Sequence, residues 1–114
     1  MNIQIISKPI TKAEALEIAK EFYVEMVKGV ADLEKGIIAL GGEYHIDANM
    51  LLIDNGSHQK HLWGFNLYPK KKKTDRLEYT SLINIRPAAN NRSIKIEDHK
   101  IRLAVKAIVD RLIP

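Results

Sequence analysis

The chain has 114 residues and a formal net charge of +4, and 46% of its residues are hydrophobic and 28% charged. This length and composition predict one globular domain over residues 1–114. The absence of cysteine excludes disulfides, thiolate metal sites and cysteine nucleophiles. No stretch approaches the roughly 20 apolar residues of a membrane span, and the first residues lack the layout of a secretion signal. We therefore expect a cytoplasmic protein that does not associate with a membrane.

The N-terminal part of the sequence predicts a strand followed by a helix. Residues 2–6 are typical of a short strand that ends before a proline. Thr11 and Glu14 have the spacing of a capping box, and apolar residues follow at helical intervals, so a helix is predicted over residues 12–25. The side chains expected to pack on the sheet are those of Leu16, Ala19 and Tyr23.

Residues 26–42 fit two different structures. Five apolar residues would form one helical stripe that ends at Gly41 and Gly42. Alternatively, two strands flank a tight turn around Gly36, and the β-branched pair that follows this glycine favours a strand. Because glycine inside a helix is destabilising, the hairpin is the preferred interpretation.

The central part of the sequence predicts mainly strands. Residues 43–47 alternate between polar and apolar, which is typical of a half-buried strand. After them, either Asp47 caps a short helix over residues 50–53 or the strand continues. Strands are predicted over residues 62–68 and 76–86, joined by a proline and a run of lysines.

The C-terminal part of the sequence predicts a polar loop, an edge strand over residues 93–96 and a closing helix capped by Asp98. Apolar residues recur along this helix at helical spacing, at Ile101, Val105, Ile108 and Leu112. The element order predicts an α+β fold in which an N-terminal and a C-terminal helix cover one face of a mostly antiparallel sheet.

A candidate catalytic pair lies in residues 43–47, the segment in which polar and apolar residues alternate. Glu43 and His45 are two residues apart, so on a strand both side chains would point to the same face. A carboxylate beside an imidazole orients the ring and raises its pKa, which suits general acid–base chemistry. The sequence therefore predicts Glu43 and His45 as catalytic residues, with Asp47 as an ordinary helix cap in the alternative interpretation. No metal site is predicted, because too few ligands converge.

A candidate binding set comes from the later strands. If residues 62–68 pair with residues 76–86, several amide and guanidinium groups share the face opposite the apolar side chains. These groups can bind a phosphate or a carboxylate. The predicted ligand-binding residues are Asn66, Asn84, Arg86 and Arg92. The alternative is a solvated strand face with ordinary cross-strand pairs.

A basic segment provides an alternative function. It consists of four consecutive lysines: Lys70, Lys71, Lys72 and Lys73. Together with Lys100, Arg102, Lys106 and Arg111 of the closing helix, this four-lysine run would suit a non-catalytic module that binds nucleic acid or protein. Runs of lysine in loops are also common at solvated hairpin tips, where they prevent aggregation.

Several short motifs together resemble a family of small uncharacterised prokaryotic proteins, catalogued as a domain of unknown function. The motifs are Gly41-Gly42-Glu43-x-His45-x-Asp47, Gly56-Ser57-x-Gln59, Trp63-Gly64-x-Asn66-x-Tyr68-Pro69, Ser81-Leu82-Ile83-Asn84-Ile85-Arg86-Pro87 and Asn91-Arg92-Ser93. The resemblance covers nearly the whole chain and implies a stand-alone domain of this length. It implies no activity, ligand or cofactor.

The sequence thus predicts a pocket on the polar sheet face that binds, and in one version hydrolyses, a small anionic or phosphorylated ligand. In this hypothesis His45 transfers a proton, and Glu43 orients the imidazole ring of His45. Arg86 and Asn84 bind the anion. The alternatives are the nucleic-acid- or protein-binding module and a homodimer assembled through an exposed strand or apolar patch. The sequence contains no pattern that identifies a cofactor, so the cofactor is left unknown.

Overall fold

A computed structural model describes residues 1–114. The chain forms one five-stranded antiparallel sheet with strand order β1-β3-β2-β4-β5. The strands are β1 (Gln4–Ile6), β2 (Val27–Asp32), β3 (Ile37–Leu40), β4 (Leu62–Leu67) and β5 (Leu77–Glu78). The helices are α1 (Lys12–Ala19), α2 (His45–Asp54) and α3 (His99–Leu112). None of these helices has the length and hydrophobicity of a membrane-spanning segment.

The predicted α+β fold is confirmed, with α1 and α3 packed on the same face of the sheet. Buried residues of both helices join the side chains of all four long strands in one apolar cluster. A smaller cluster covers the opposite face, where Ala48 and Leu52 of α2 pack on Val30, Ala39 and Leu62. The sheet is therefore covered on both faces, and helix α2 lies where the sequence predicted an open polar surface.

The hairpin interpretation of residues 26–42 is confirmed. β2 and β3 are adjacent and antiparallel, and Gly36 adopts a φ of +66° in the turn between them. Gly29 lies on β2 where an added Cβ would be only 2.4 Å from a ring carbon of Phe65. Its lack of a side chain therefore allows close packing in the larger cluster, although glycine disfavours a strand in isolation.

Helix α1 is shorter than predicted. The capping box of Thr11 and Glu14 is present, but the helix ends at Ala19 rather than at residue 25. The residues that face the sheet are Ala15, Ile18 and Ala19, whereas Leu16 is only half-buried. The remaining residues turn back toward the start of β2, with Val24 at a φ of +65°.

The predicted strand over residues 43–47 is wrong, because α2 begins at His45. Gly41 and Gly42 have positive φ values of 117° and 92°, and they turn the chain away from β3. The buried residues His45, Asn49 and Leu52 recur at helical spacing and face the sheet. A five-residue alternation is too short to compete with this longer period of 3.6.

The predicted strand over residues 76–86 is mostly wrong, since β5 contains only two residues. The chain then leaves the sheet, and Ser81 accepts a hydrogen bond from the backbone N–H of Ile83 at the start of a 3₁₀ turn, Leu82–Asn84. Such local side-chain-to-backbone bonds compete with strand pairing. The predicted edge strand over residues 93–96 is reduced to a single bridge between Thr80 and Lys95.

Candidate functional site

A pocket of about 360 Å³ lies on the same sheet face as α2. It is bounded by the first turn of α2, by β2 and β4, and by the segment that follows β5. Its volume lies within the range of small-molecule sites in proteins. The residues that line it are Lys28, Tyr44, His45, Ile46, Asn66, Thr80, Ser81, Leu82, Ile83 and Ile94.

Two polar side chains stand at the floor of this pocket on neighbouring strands. Lys28 of β2 and Asn66 of β4 are direct partners in the antiparallel register. Side chains of such partners lie on the same face, with Cβ atoms about 5 Å apart. The register therefore places the side chains of Lys28 and Asn66 next to each other at their Cβ atoms.

Lys28 brings the positive charge of the pocket. Its Nζ lies 5.0 Å from the ring centroid of Tyr23 and 5.6 Å from that of Tyr44, within the range of cation–π contacts. The hydroxyl of Tyr23 donates a hydrogen bond to the backbone carbonyl of Glu43, which holds this ring in place. Lys28 forms no ion pair with any carboxylate of the chain. Its ammonium group is therefore available to an anion.

His45 is buried at the start of α2, and its Nε2 lies 2.8 Å from the backbone oxygen of Phe65. A carbonyl oxygen only accepts, so Nε2 carries the proton and donates it in this hydrogen bond. Burial is the largest influence on the pKa of His45 and lowers it, and the charge of Lys28 acts in the same direction. The hydrogen bond to Phe65 and the nearby Asn66 amide oppose this shift without reversing it. His45 is therefore neutral at pH 7, with Nδ1 as an acceptor.

The rest of the pocket is mainly apolar. Ile46, Ile83 and Ile94 line it together with Leu82, whose side chain is 78% exposed at the tip of the 3₁₀ turn. Exposed leucine and isoleucine around a concave surface are typical of a site that receives an apolar group. The pocket thus combines one free cation with a wall suited to a hydrocarbon body.

Of the six site residues predicted from the sequence, only His45 and Asn66 line this pocket. Glu43 is exposed, and its carboxylate makes no hydrogen bond or ion pair, because the start of α2 replaces the strand that would have aligned it with His45. Arg92 is exposed in the loop before α3, and its backbone N–H donates to Glu97. The structure therefore does not form the predicted Glu43–His45 pair.

Asn84 has a structural position at the free edge of β4. Its Oδ1 accepts from the N–H of Gly64 at 2.8 Å, and its Nδ2 donates to the carbonyl of the same residue at 3.0 Å. The side chain thereby takes the place of a peptide group in a neighbouring strand. Because Asn84 is fully buried and its amide is occupied in this way, it does not reach the pocket.

Arg86 also binds its own chain. Its guanidinium group donates to the backbone carbonyls of Gln59, Ile83 and Leu62, and it stacks 4.1 Å from the ring centroid of Trp63. Burial lowers the pKa of Arg86 from its usual value, but an arginine still remains charged at neutral pH. The predicted grouping of Arg86 with His45 in one pocket is therefore not observed.

Sequence reasoning missed Lys28, Tyr44 and the apolar wall. Lys28 lies between Val27 and Gly29, in a strand whose only other polar residue is Asp32 at its end, and this is the one signal that marked it. The chain contains no group of three or more His, Asp or Glu side chains arranged to hold a metal ion.

The fold and the pocket define a class of protein: an antiparallel α+β domain with one partly apolar pocket that contains a free lysine. A family model described as "Protein of unknown function (DUF5674)" matches residues 4–112, and the chain belongs to this family. No curated protein and no solved structure matches the chain significantly. The resemblance predicted from the sequence motifs is therefore confirmed.

Proposed function

We propose that this protein binds a small organic anion in the pocket at the start of α2. The observation that carries the proposal is the ammonium group of Lys28, which has no carboxylate partner and lies in a concave, mainly apolar site. A lysine without a partner on such a surface gains a charge-assisted hydrogen bond when a carboxylate or phosphate enters.

The N-terminus of α2 also favours a negatively charged ligand. Tyr44 is the N-cap residue and provides no side-chain hydrogen bond, so backbone N–H groups of the first turn remain without a capping acceptor. The helix dipole places partial positive charge at this end. His45 adds no positive charge, because its ring is neutral, and it therefore contributes hydrogen bonding rather than attraction.

The apolar wall indicates that the anionic group belongs to a molecule with a hydrocarbon part. Ile46 is about half exposed and Leu82 is largely exposed, and covering them would remove apolar surface from water. An inorganic phosphate would leave this wall in contact with solvent. The proposal is for binding, because Glu43 does not contact His45 and the pair needed for general acid–base catalysis is not formed.

The test is a comparison between an acid and its neutral amide. Isothermal titration and amide chemical shifts would be measured with 4-methylpentanoate and with 4-methylpentanamide at low salt. We expect the acid to bind with shifts centred on α2 and β4, and Lys28→Met to weaken it at least about tenfold, since a hydrogen bond to a charged group contributes roughly 1.5–3 kcal/mol.

Lys8→Met provides the matched control, because Lys8 is exposed, lies outside the pocket and has no ion-pair partner. It should leave the affinity unchanged. Equal affinity for the acid and the amide, or full affinity in Lys28→Met, would contradict the proposal.

A further inference from the structure

The pocket is surrounded by apolar side chains that remain exposed to solvent. Four of the residues that line it are each between 46% and 78% exposed, and they form the rim of the pocket: Tyr44, Ile46, Leu82 and Ile94. Single exposed apolar residues are ordinary on protein surfaces. Several of them around one concavity are typical of a surface that binds a partner.

The exposed apolar surface continues beyond the pocket on the side of Lys28. The ring of Tyr23 contacts the Lys28 ammonium group, and the ring centroid of Phe22 lies 6.4 Å from that of Tyr23. Both aromatic residues are exposed, and neither lines the pocket. A ligand that is confined to the pocket therefore does not cover them. Aromatic residues are enriched where one protein binds another, so this extension favours a ligand larger than the pocket.

Lys28 fixes the charge of the complementary ligand. It is the only charged residue that lines the pocket, because His45 is neutral there. Its Nζ lies against the rings of Tyr23 and Tyr44, which places the positive charge where the rim meets the aromatic extension. A complementary partner carries one negative charge among apolar groups.

The last residue of a polypeptide combines these two properties. Its carboxylate and its side chain are attached to the same Cα atom, so an apolar residue at this position presents a charge and a hydrocarbon group together. Inside an extended chain, the neighbours of an acidic residue point to the opposite side, and the next side chain on the same side lies roughly 6.5–7 Å away. An internal segment therefore fits a pocket that contains both Lys28 and an apolar wall less well than a chain end does.

We infer that the ligand is the C-terminus of a polypeptide whose last residue is apolar. The terminal carboxylate binds Lys28, the last side chain enters the pocket, and the preceding residues cover the exposed rim. Capture of a terminal carboxylate is one of the recurring modes of peptide recognition. This inference rests on the proposed function and identifies the organic anion as the end of a polypeptide chain.

The experiment begins with a synthetic pool of acetylated pentapeptides, each ending in leucine, isoleucine, valine or phenylalanine with a free carboxylate. The pool is passed over the immobilised chain, and mass spectrometry identifies the peptides that are retained. Isothermal titration then compares the best peptide with its C-terminal amide and with the acetylated form of its last residue alone. We expect the peptide to bind at least about tenfold tighter than either, because the amide lacks the charge and the single residue does not cover the rim.

Two variants with one matched control locate the binding surface. Lys28→Met should weaken the peptide at least about tenfold, and Leu82→Ser at least about fivefold, since Leu82 loses its contact with the bound chain. Leu103→Ser is the control, because Leu103 is also an exposed leucine but lies on α3 and lines no pocket. It should leave the affinity unchanged. Circular dichroism shows that each variant is folded before it is titrated.

The possible failures are distinguishable. If the acetylated single residue binds as tightly as the peptide and depends on Lys28, the inference of a polypeptide is wrong and the proposed anion site stands. Equal affinity for the peptide and its amide, or retention of no peptide, would also overturn the inference. A homodimer that Leu82→Ser dissociates in sedimentation would show that a second copy of the chain covers the rim instead. If neither peptides nor small acids bind, the proposed function itself fails.

Discussion

Two asparagines that the sequence assigned to one ligand-binding face have different roles in the structure. Asn66 belongs to β4, whereas Asn84 approaches the edge of β4 and hydrogen-bonds the peptide groups of Gly64 through both its oxygen and its nitrogen. Asn66 uses only its nitrogen, and its oxygen remains without a donor. The difference comes from the atoms that surround each side chain, since the residue type is identical.

His45 makes the stability of the fold depend on pH. Burial lowers its pKa in the folded chain below the ordinary value of 6.5, whereas the unfolded chain keeps that value. Between these two pKa values the unfolded state binds a proton that the native state does not, so the free energy of unfolding decreases as the pH falls below about 6.5. Above pH 6.5 this contribution is fully present.

The measurement is urea denaturation at pH 7.5 and pH 5.5 for the wild-type chain and for His45→Gln. We expect the wild type to lose more stability than the variant, by at most about 1.4 kcal/mol for each pH unit inside the window. The other three histidines are present in both proteins, so the difference reports His45 alone. Identical pH profiles would show that the ring is accessible to protons in the native state.

At the scale of elements, strands were predicted for both β4 and β5 from the sequence, but only β4 has close to its predicted length in the structure. β4 ends at Leu67, one residue earlier than predicted, and its inward residues Trp63, Phe65 and Leu67 all enter the larger cluster. β5 stops after Glu78, because the side chain of Asn84 satisfies the edge of β4 that a longer strand would have paired. A side chain six residues beyond the last residue of β5 thus decides where this strand ends.

The four-lysine run between β4 and β5 should be dispensable for folding. All four side chains are exposed, and the one ion pair in the run, Lys70 with Glu25, has a long separation of 3.9 Å. Replacing the run with serines should change the free energy of unfolding by less than about 0.5 kcal/mol. Thermal unfolding with circular dichroism measures this change.

Arg76 provides the contrast within the same connection. Its side chain is fully buried, and its Nη2 donates to the carbonyl of Ile113 at 2.6 Å and to Asp110 at 3.1 Å. Arg76→Ala should therefore cost about 3 kcal/mol or more, because it breaks the contact between this connection and α3. A large loss of stability when the lysines are replaced, or no loss of stability in Arg76→Ala, would contradict these two predictions.

The same lysine variant tests the alternative function. Three of the four basic residues on α3 already bind their own chain: Arg102, Lys106 and Arg111. Binding of a single-stranded oligonucleotide at low salt that is lost when the lysines are replaced would support a nucleic-acid-binding module. That function stays a prediction from the sequence.

At the scale of the whole molecule, the sheet separates two apolar clusters that share their strands. Alternate residues of β2 and β4 enter the larger cluster with α1 and α3 or the smaller one with α2. Along these strands, Lys28 and Asn66 continue the α2 face beyond its apolar residues, at the pocket. The site is therefore a consequence of helix α2, which covers only part of one sheet face.

The two clusters should unfold together. Leu52 of α2 is fully buried in the smaller cluster, so Leu52→Ala should cost about 2–5 kcal/mol. Trp63 is the only tryptophan and lies in the larger cluster on the other face of the sheet. We expect its fluorescence and the far-ultraviolet circular dichroism to show the same shift in urea midpoint. Separate midpoints would mean that α2 unfolds independently of the sheet.

The sequence by itself determined the elements whose signals are local. The capping box at Thr11, the cap at Asp98 and the turn at Gly36 predicted the start of α1, the start of α3 and the β2–β3 hairpin, because each depends on hydrogen bonds or φ values within a few residues. Period-two and period-3.6 patterns likewise predicted β4 and an α+β fold.

Only the tertiary structure decided the candidate site. The alternation of residues 43–47 fitted a strand until packing of His45 and Leu52 on the sheet selected a helix. The proximity of Lys28 to Asn66 depends on the register of β2 with β4, which pairs these two residues although they are 38 positions apart in the sequence. The position of the proton on the His45 ring is likewise determined by the backbone carbonyl of Phe65, twenty residues away. Local patterns specify faces and caps, but register and burial come from the whole sheet, and these determine which polar groups remain free to bind a ligand.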